Sequence, residues 1–144
     1  MRKAIVSLVF VGVILSLVGL VQGCSSGRQA ILGTNYAEKI TASDPHEGSQ
    51  QESNMWWYHV YYVNVEAGKT YEFTLTTANG MTTGIWSTEK YESTGRGFVV
   101  EVSPVVKTRT ATYTFEHGGK QKILIEAAQV PAEYSFEIVS VPKR

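Results

Sequence analysis

From Trp56 onward, apolar side chains recur at every second residue, and that period constrains the fold more than any other feature of the chain. Trp56–Val65 is the first and longest such run. Tyr71, Phe73 and Leu75 alternate with Thr70, Glu72, Thr74 and Thr76 in the second. Between them, Glu66-Ala67-Gly68-Lys69 is a short turn whose glycine supplies a positive φ. Asn79-Gly80 marks a turn before a short strand at Thr83–Ser87. Glu89–Gly97, charged and glycine-containing, reads as a loop. Phe98–Val102 is a further strand, closed by Ser103-Pro104. Thr108–Glu116 sets Ala111, Tyr113 and Phe115 opposite Thr110, Thr112 and Thr114. His117-Gly118-Gly119-Lys120 is a hairpin turn, and Gln121–Ala127 and Tyr134–Val141 complete the set. About seven strands therefore fill residues 55–144, with no helical stretch among them. Short connections without crossover helices require antiparallel pairing. Each sheet must bury its apolar face against another, so the expected class is all-β, an antiparallel β-sandwich of about seven to eight strands.

The N-terminus has a different texture. Met1-Arg2-Lys3 is a short basic start, and Ala4–Val21 follows without a charge. Such a run stands at the threshold for a membrane span, yet directly after a basic start it also fits a secretory signal. Leu20-Val21-Gln22-Gly23-Cys24-Ser25 resembles the lipobox of bacterial lipoprotein precursors: an aliphatic residue, two intervening positions ending in a small one, then cysteine. The resemblance implies that residues 1–23 are a signal peptide cleaved between Gly23 and Cys24. It further implies that the Cys24 thiol carries a diacylglyceryl group and its new amine a palmitate-like acyl chain. Two or more acyl chains hold a protein firmly to a bilayer where one does not. Ser25 after the cysteine, by the same resemblance, implies the cell envelope, and the outer membrane if the source is Gram-negative. Cys24 is the only cysteine of the 144 residues, so the exported part carries no thiol to misoxidise and no disulfide.

Residues 24–54 are rich in Ser, Gly, Gln, Glu, Asn and Thr and sustain neither period. They read as a polar tether after the lipid anchor. An edge strand over Ala37–Thr41 is the alternative, and the sequence leaves the two open. The aromatic run Tyr61-Tyr62-Val63-Asn64-Val65-Glu66-Ala67-Gly68-Lys69-Thr70-Tyr71 resembles the opening strand and turn of bacterial pre-peptidase C-terminal domains. Gly119–Ile125 and Tyr134–Val139 are similar to the last hairpin of that family. The resemblance implies a jelly-roll-like sandwich with a binding rather than a catalytic role. His59 stands where that family carries an acidic residue, and its Asp-rich middle segment has no counterpart here.

Composition removes several functions. The chain is neutral in sum, but without the basic residues Arg2 and Lys3 of the signal it is mildly acidic, which offers no field for nucleic acid. Asp44 is the only aspartate, which weakens calcium loops and catalytic triads together. None of His46, His59 and His117 has metal-ligand spacing, so no metal or cofactor is expected. His46 and His117 read as turn residues and His59 as a histidine at the edge of the core. Asp44 lies in the segment read as tether, where it makes a poor partner for a catalytic histidine. Glu89 and Glu92 read as solvated loop glutamates. The expectation is a protein that is not an enzyme; the alternative is a small hydrolase, or an accessory to one, using His59 or a loop glutamate.

One strand is chemically loaded. Trp56, Tyr58, Val60 and Tyr62 form its second face, so both faces of Trp56–Val65 are apolar. If His59, Tyr61, Val63 and Val65 fill the core, the other face is either covered by neighbouring chain or open to a partner. Exposed rings offer flat apolar area at low entropy cost, which suits a glycan or an envelope protein. Trp56, Tyr58 and Tyr62 are the candidate binding residues, with Trp86, Tyr91 and the Arg96 loop as candidate borders.

Overall fold

The computed structural model describes residues 27–48 and 55–142. The signal peptide, the Gly23–Cys24 cleavage position and the Cys24 attachment point lie outside the described residues. Ten strands and one helix follow in order: β1 (Arg28–Ala30), β2 (Tyr36–Ile40), β3 (His46–Glu47), β4 (Trp56–Val65), β5 (Thr70–Thr77), β6 (Thr83–Ser87), α1 (Thr88–Thr94), β7 (Phe98–Val102), β8 (Thr108–Thr114), β9 (Gly119–Ala127) and β10 (Ala132–Ser140).

Two sheets pack face to face. The first has the order β4-β9-β6-β7, with β1 and β3 sharing the free edge of β4, and the second runs β2-β10-β5-β8. Taken as the eight strands β2 and β4–β10, this is the order produced by winding two Greek keys into a jelly roll. The expected all-β sandwich and its jelly-roll character are what the structure shows. Pairing is antiparallel throughout except that β1 runs parallel to β4, with Arg28 opposite Tyr61.

Period two explains the layering. Tyr61, Val63 and Val65 on β4, Ile123 and Ile125 on β9, and Ile85 on β6 face Tyr71, Phe73, Leu75, Phe136 and Ile138 across the interior. Each such large apolar side chain contributes about 1.5–3 kcal/mol on burial, which lets the domain stand without a disulfide. The outer face of the second sheet is threonine-rich: Thr70–Thr114, Thr74–Thr110 and Thr76–Thr108 join hydroxyls across β5 and β8 at 2.7, 3.0 and 3.0 Å. β-branched side chains suit a solvated pleat.

One segment takes the edge-strand reading that the sequence left open beside a tether, and one differs from expectation. Residues 28–47 supply three strands, and Tyr36–Ile40 pairs with β10 as an edge strand of the second sheet. Its anchors are few but well placed. Ile40 is fully buried, and the Tyr36 ring stacks on Phe136 at 5.2 Å. Glu89–Gly97, read as a loop, begins inside a helix. Ser87 caps it by accepting from the Lys90 amide, and Gly95 ends it in the left-handed region at φ 70°. Seven residues are too few to display a helical period, which is why the pattern hid it.

Candidate functional site

The outer face of the first sheet carries a continuous aromatic surface. Along β4 it presents Trp56, Tyr58, Val60 and Tyr62, of which Val60 is buried and the three rings are half-buried. The next strand in the sheet, β9, sets Glu126 opposite Tyr58, Leu124 opposite Val60 and Lys122 opposite Tyr62. On β6, Gly84 pairs with Glu126 and Trp86 with Leu124. On β7, Phe98 pairs with Trp86 across a bulge.

Two glycines shape this surface by having no side chain. A Cβ on Gly84 would overlap the Phe98 ring, and one on Gly97 would overlap the Trp86 indole. The Phe98 ring therefore lies over Gly84 and reaches Trp56, with ring centres 5.7 Å apart. Trp86 is held between Gly97 and Tyr91 of α1, whose ring centre is 5.2 Å away. Tyr91 remains 51% exposed and projects from the end of the surface. At the opposite margin, the Lys120 ammonium stands 4.4 Å over the Tyr62 ring.

The structure thus places Trp56, Tyr58 and Tyr62 on one outer face, neither sealed nor bare. Trp86 and Tyr91 border it. Arg96 is exposed, and its side chain makes no hydrogen bond or ion pair among the described residues. Phe98, Gly84 and Glu126 were not legible as site residues. Glu126 had a signal: on β9 it shares a phase with Lys120, Lys122 and Leu124, opposite to Ile123, Ile125 and Ala127.

Glu126 is the distinctive charge of this face. Burial among the rings, and then the negative charge of Glu47 on β3, push its carboxyl up to about 7. The same environment raises the Tyr58 phenol, through burial first and then Glu47 and Glu126. A half-buried carboxyl that titrates near neutrality can both donate and accept hydrogen bonds.

A second polar cluster lies on the inner side. His59 Nδ1 is 2.7 Å from the Tyr134 hydroxyl, which is 3.0 Å from the Tyr61 hydroxyl. His59 Nε2 is 3.2 Å from Asp44 Oδ1, so both ring nitrogens are engaged within the protein. Burial works to raise the Asp44 carboxyl. Hydrogen bonds from the Thr41 amide and hydroxyl, at 2.7 and 3.0 Å, together with His59, outweigh it and hold the carboxyl low. Asp44 was expected in a turn of the polar tether; the turn, closed on Thr41, instead places it against β4.

Glu89 also departs from expectation, being only 7% exposed. It accepts from the Glu116 amide at 2.8 Å, the His117 amide at 3.1 Å and the Tyr113 hydroxyl at 3.2 Å. These bonds outweigh its burial and lower its carboxyl. His117 Nδ1 is 3.2 Å from the same carboxylate, with most of the ring in solvent. Glu89 therefore pins the β8–β9 turn to α1 instead of facing water. Among the described residues no three His, Cys, Asp or Glu side chains are placed to hold a metal ion.

No protein-family model matches the chain. No curated protein matches it either. Solved structures do. The chain is similar to CorA, a surface-associated copper-binding protein important in copper acquisition by Methylomicrobium album BG8, at 12% identity over 81% of this chain and 98% of that one, with a TM-score of 0.52. It is similar to the pre-peptidase C-terminal domain of collagenase from Bacillus anthracis, at 14% identity over 78% and 93%, TM-score 0.47. It is also similar to the carbohydrate-binding module TmCBM61 in complex with β-1,4-galactotriose, at 11% identity over 81% and 93%, TM-score 0.39. At these identities the likeness concerns the fold.

Proposed function

We propose that this is a lipid-anchored protein of the bacterial cell envelope whose sandwich binds a glycan, without catalysis, on the outer face of its first sheet. The carrying observation is the aromatic surface itself: Trp56, Phe98, Trp86 and Tyr91 in two ring pairs, with Glu126 between Tyr58 and Gly84. Sugar rings present apolar C–H faces and equatorial hydroxyls. Flat aromatic side chains match the first, and a carboxyl that donates and accepts matches the second.

The arrangement favours binding over hydrolysis. The hydroxyl that His59 Nδ1 meets is that of Tyr134, which is buried, so this histidine faces no nucleophile that a substrate could reach. Glu89 spends both oxygens on the β8–β9 turn. The anchor rests on the lipobox at Leu20–Cys24.

The test is retention on insoluble envelope polysaccharide. Trp56→Ala and Trp86→Ala should each reduce retention at least tenfold while the thermal midpoint stays within a few degrees, as single contacts of this kind change affinity by about 1.4 kcal/mol or more. Retention unchanged in both folded variants would overturn the glycan reading.

A further inference from the structure

The short covalent distance between the lipid attachment point and the aromatic face bears on what the face can meet. Gly27 is the first described residue, and it is packed on that face. A Cβ there would overlap the Tyr62 ring and the Val60 side chain, so backbone and rings are in direct contact. Only three peptide units separate Cys24 from Gly27, a reach of at most about 11 Å. A domain on a long tether could turn any side to its surroundings. This one is fastened beside Tyr62, because β1 pairs with β4 immediately after Gly27.

The composition of the face agrees with that placement. Tryptophan and tyrosine settle at the boundary between headgroups and water. Lys120 and Lys122 stand on β9, across β4 from Gly27 but at the same Tyr62 end of the face, where phosphate-bearing headgroups would meet it. Farther along the same face, Glu126 and the Trp56–Phe98 pair offer hydroxyl and ring contacts rather than positive charge.

Resting on the anchor and glycan readings above, we propose that the ligand of this face is the sugar headgroup of a glycolipid in the same leaflet as the protein's own anchor. The anchor and the site then grip the same bilayer. The short link keeps the face at high effective concentration over headgroups, which makes weak single-sugar contacts sufficient.

The experiment uses the full chain, processed in a bacterial host, with acylation of Cys24 read by intact mass. The protein is reconstituted into phosphatidylglycerol vesicles alone, or with digalactosyl diacylglycerol or lipopolysaccharide added, and tryptophan quenching by acrylamide is measured. At least one glycolipid should reduce quenching about twofold or more relative to phosphatidylglycerol alone. A flexible ten-residue Gly/Ser insertion between Ser26 and Gly27, with unchanged circular dichroism, should remove most of that protection by lowering the effective concentration. Protection that is equal with and without glycolipid, or absent in all vesicles, would overturn the inference. Free digalactoside and free lipopolysaccharide core oligosaccharide, added to the protein in detergent, separate the causes. If either protects while the vesicles do not, the glycan reading stands and the membrane placement falls. If nothing protects, the glycan reading falls as well. An unmodified Cys24 defeats the anchor reading and this inference with it.

Discussion

His59 Nε2 and Asp44 Oδ1 meet at 3.2 Å, joining β4 to the turn that precedes β3. The contact continues through Tyr134 to Tyr61, so one polar chain ties the N-terminal segment to both sheets. Asp44→Ala leaves the Thr41 amide and His59 without their acceptor and should cost about 1–2 kcal/mol of unfolding free energy, read by urea denaturation. The wild-type contribution has a definite pH dependence. A carboxyl held low in the fold stabilises fully above its unfolded pKa, about 3.9, and loses that stabilisation as pH falls below it. The difference between wild type and Asp44→Ala should therefore shrink below about pH 4. A constant gap across that range would contradict this assignment.

Glu126 behaves with the opposite sign. Its carboxyl is raised to about 7 by burial and by Glu47, so the fold favours the protonated form. Its contribution is whole below the unfolded pKa near 4.3 and is lost as pH rises through about 7. Glu126→Gln should raise the thermal midpoint at pH 8, on the order of 1 kcal/mol after allowance for partial exposure, and change little at pH 4. The check is a pair of melting curves at the two pH values.

Glu89→Ala should loosen the turn between β8 and β9. The Glu116 and His117 amides lose a charged acceptor and α1 loses its tie to that turn. The expected cost is about 1–3 kcal/mol, with faster hydrogen exchange at those two amides than at the Ile123 and Ile125 amides. Unchanged exchange there would mean that the turn holds itself.

The anchor has a chemical test. Metabolic labelling with a tagged fatty acid should mark the wild-type chain and leave Cys24→Ser unmarked, since Cys24 is the only thiol. Equal labelling of both chains would remove the lipid from Cys24.

The alternation from Trp56 to Val141 carries most of the fold in plain view. Each strand of the sandwich beyond residue 55 stands within a few residues of where period two puts it, because one face of every sheet is buried. Of the N-terminal strands the sequence offered only β2, and that only as an alternative to a tether, for a physical reason. β1 and β3 span three and two residues, too short for any period, and β2 is held by Ile40 and Tyr36 rather than by a regular stripe. The same limit hid the capped helix after Ser87. Of the candidate site, β4 announced itself by being apolar on both faces. Phe98, Gly84 and Glu126 joined it only through strand order, since β9, β6 and β7 come beside β4 by long-range winding that local sequence does not encode. Asp44 illustrates the same point: a polar residue in a polar segment reads as solvated until the fold brings His59 to it.

The central claim, that the outer face of the first sheet is the binding surface, is tested most directly by tryptophan emission during titration with envelope oligosaccharides. The chain has three tryptophans, and their places divide them: Trp56 and Trp86 lie on the outer face, whereas Trp57 packs against the core. Wild type and Trp57→Phe should both show a saturable spectral shift, and the double variant Trp56→Phe/Trp86→Phe should show none while keeping its fold. A shift that survives in the double variant and vanishes in a folded Trp57→Phe would place the ligand elsewhere and contradict the account.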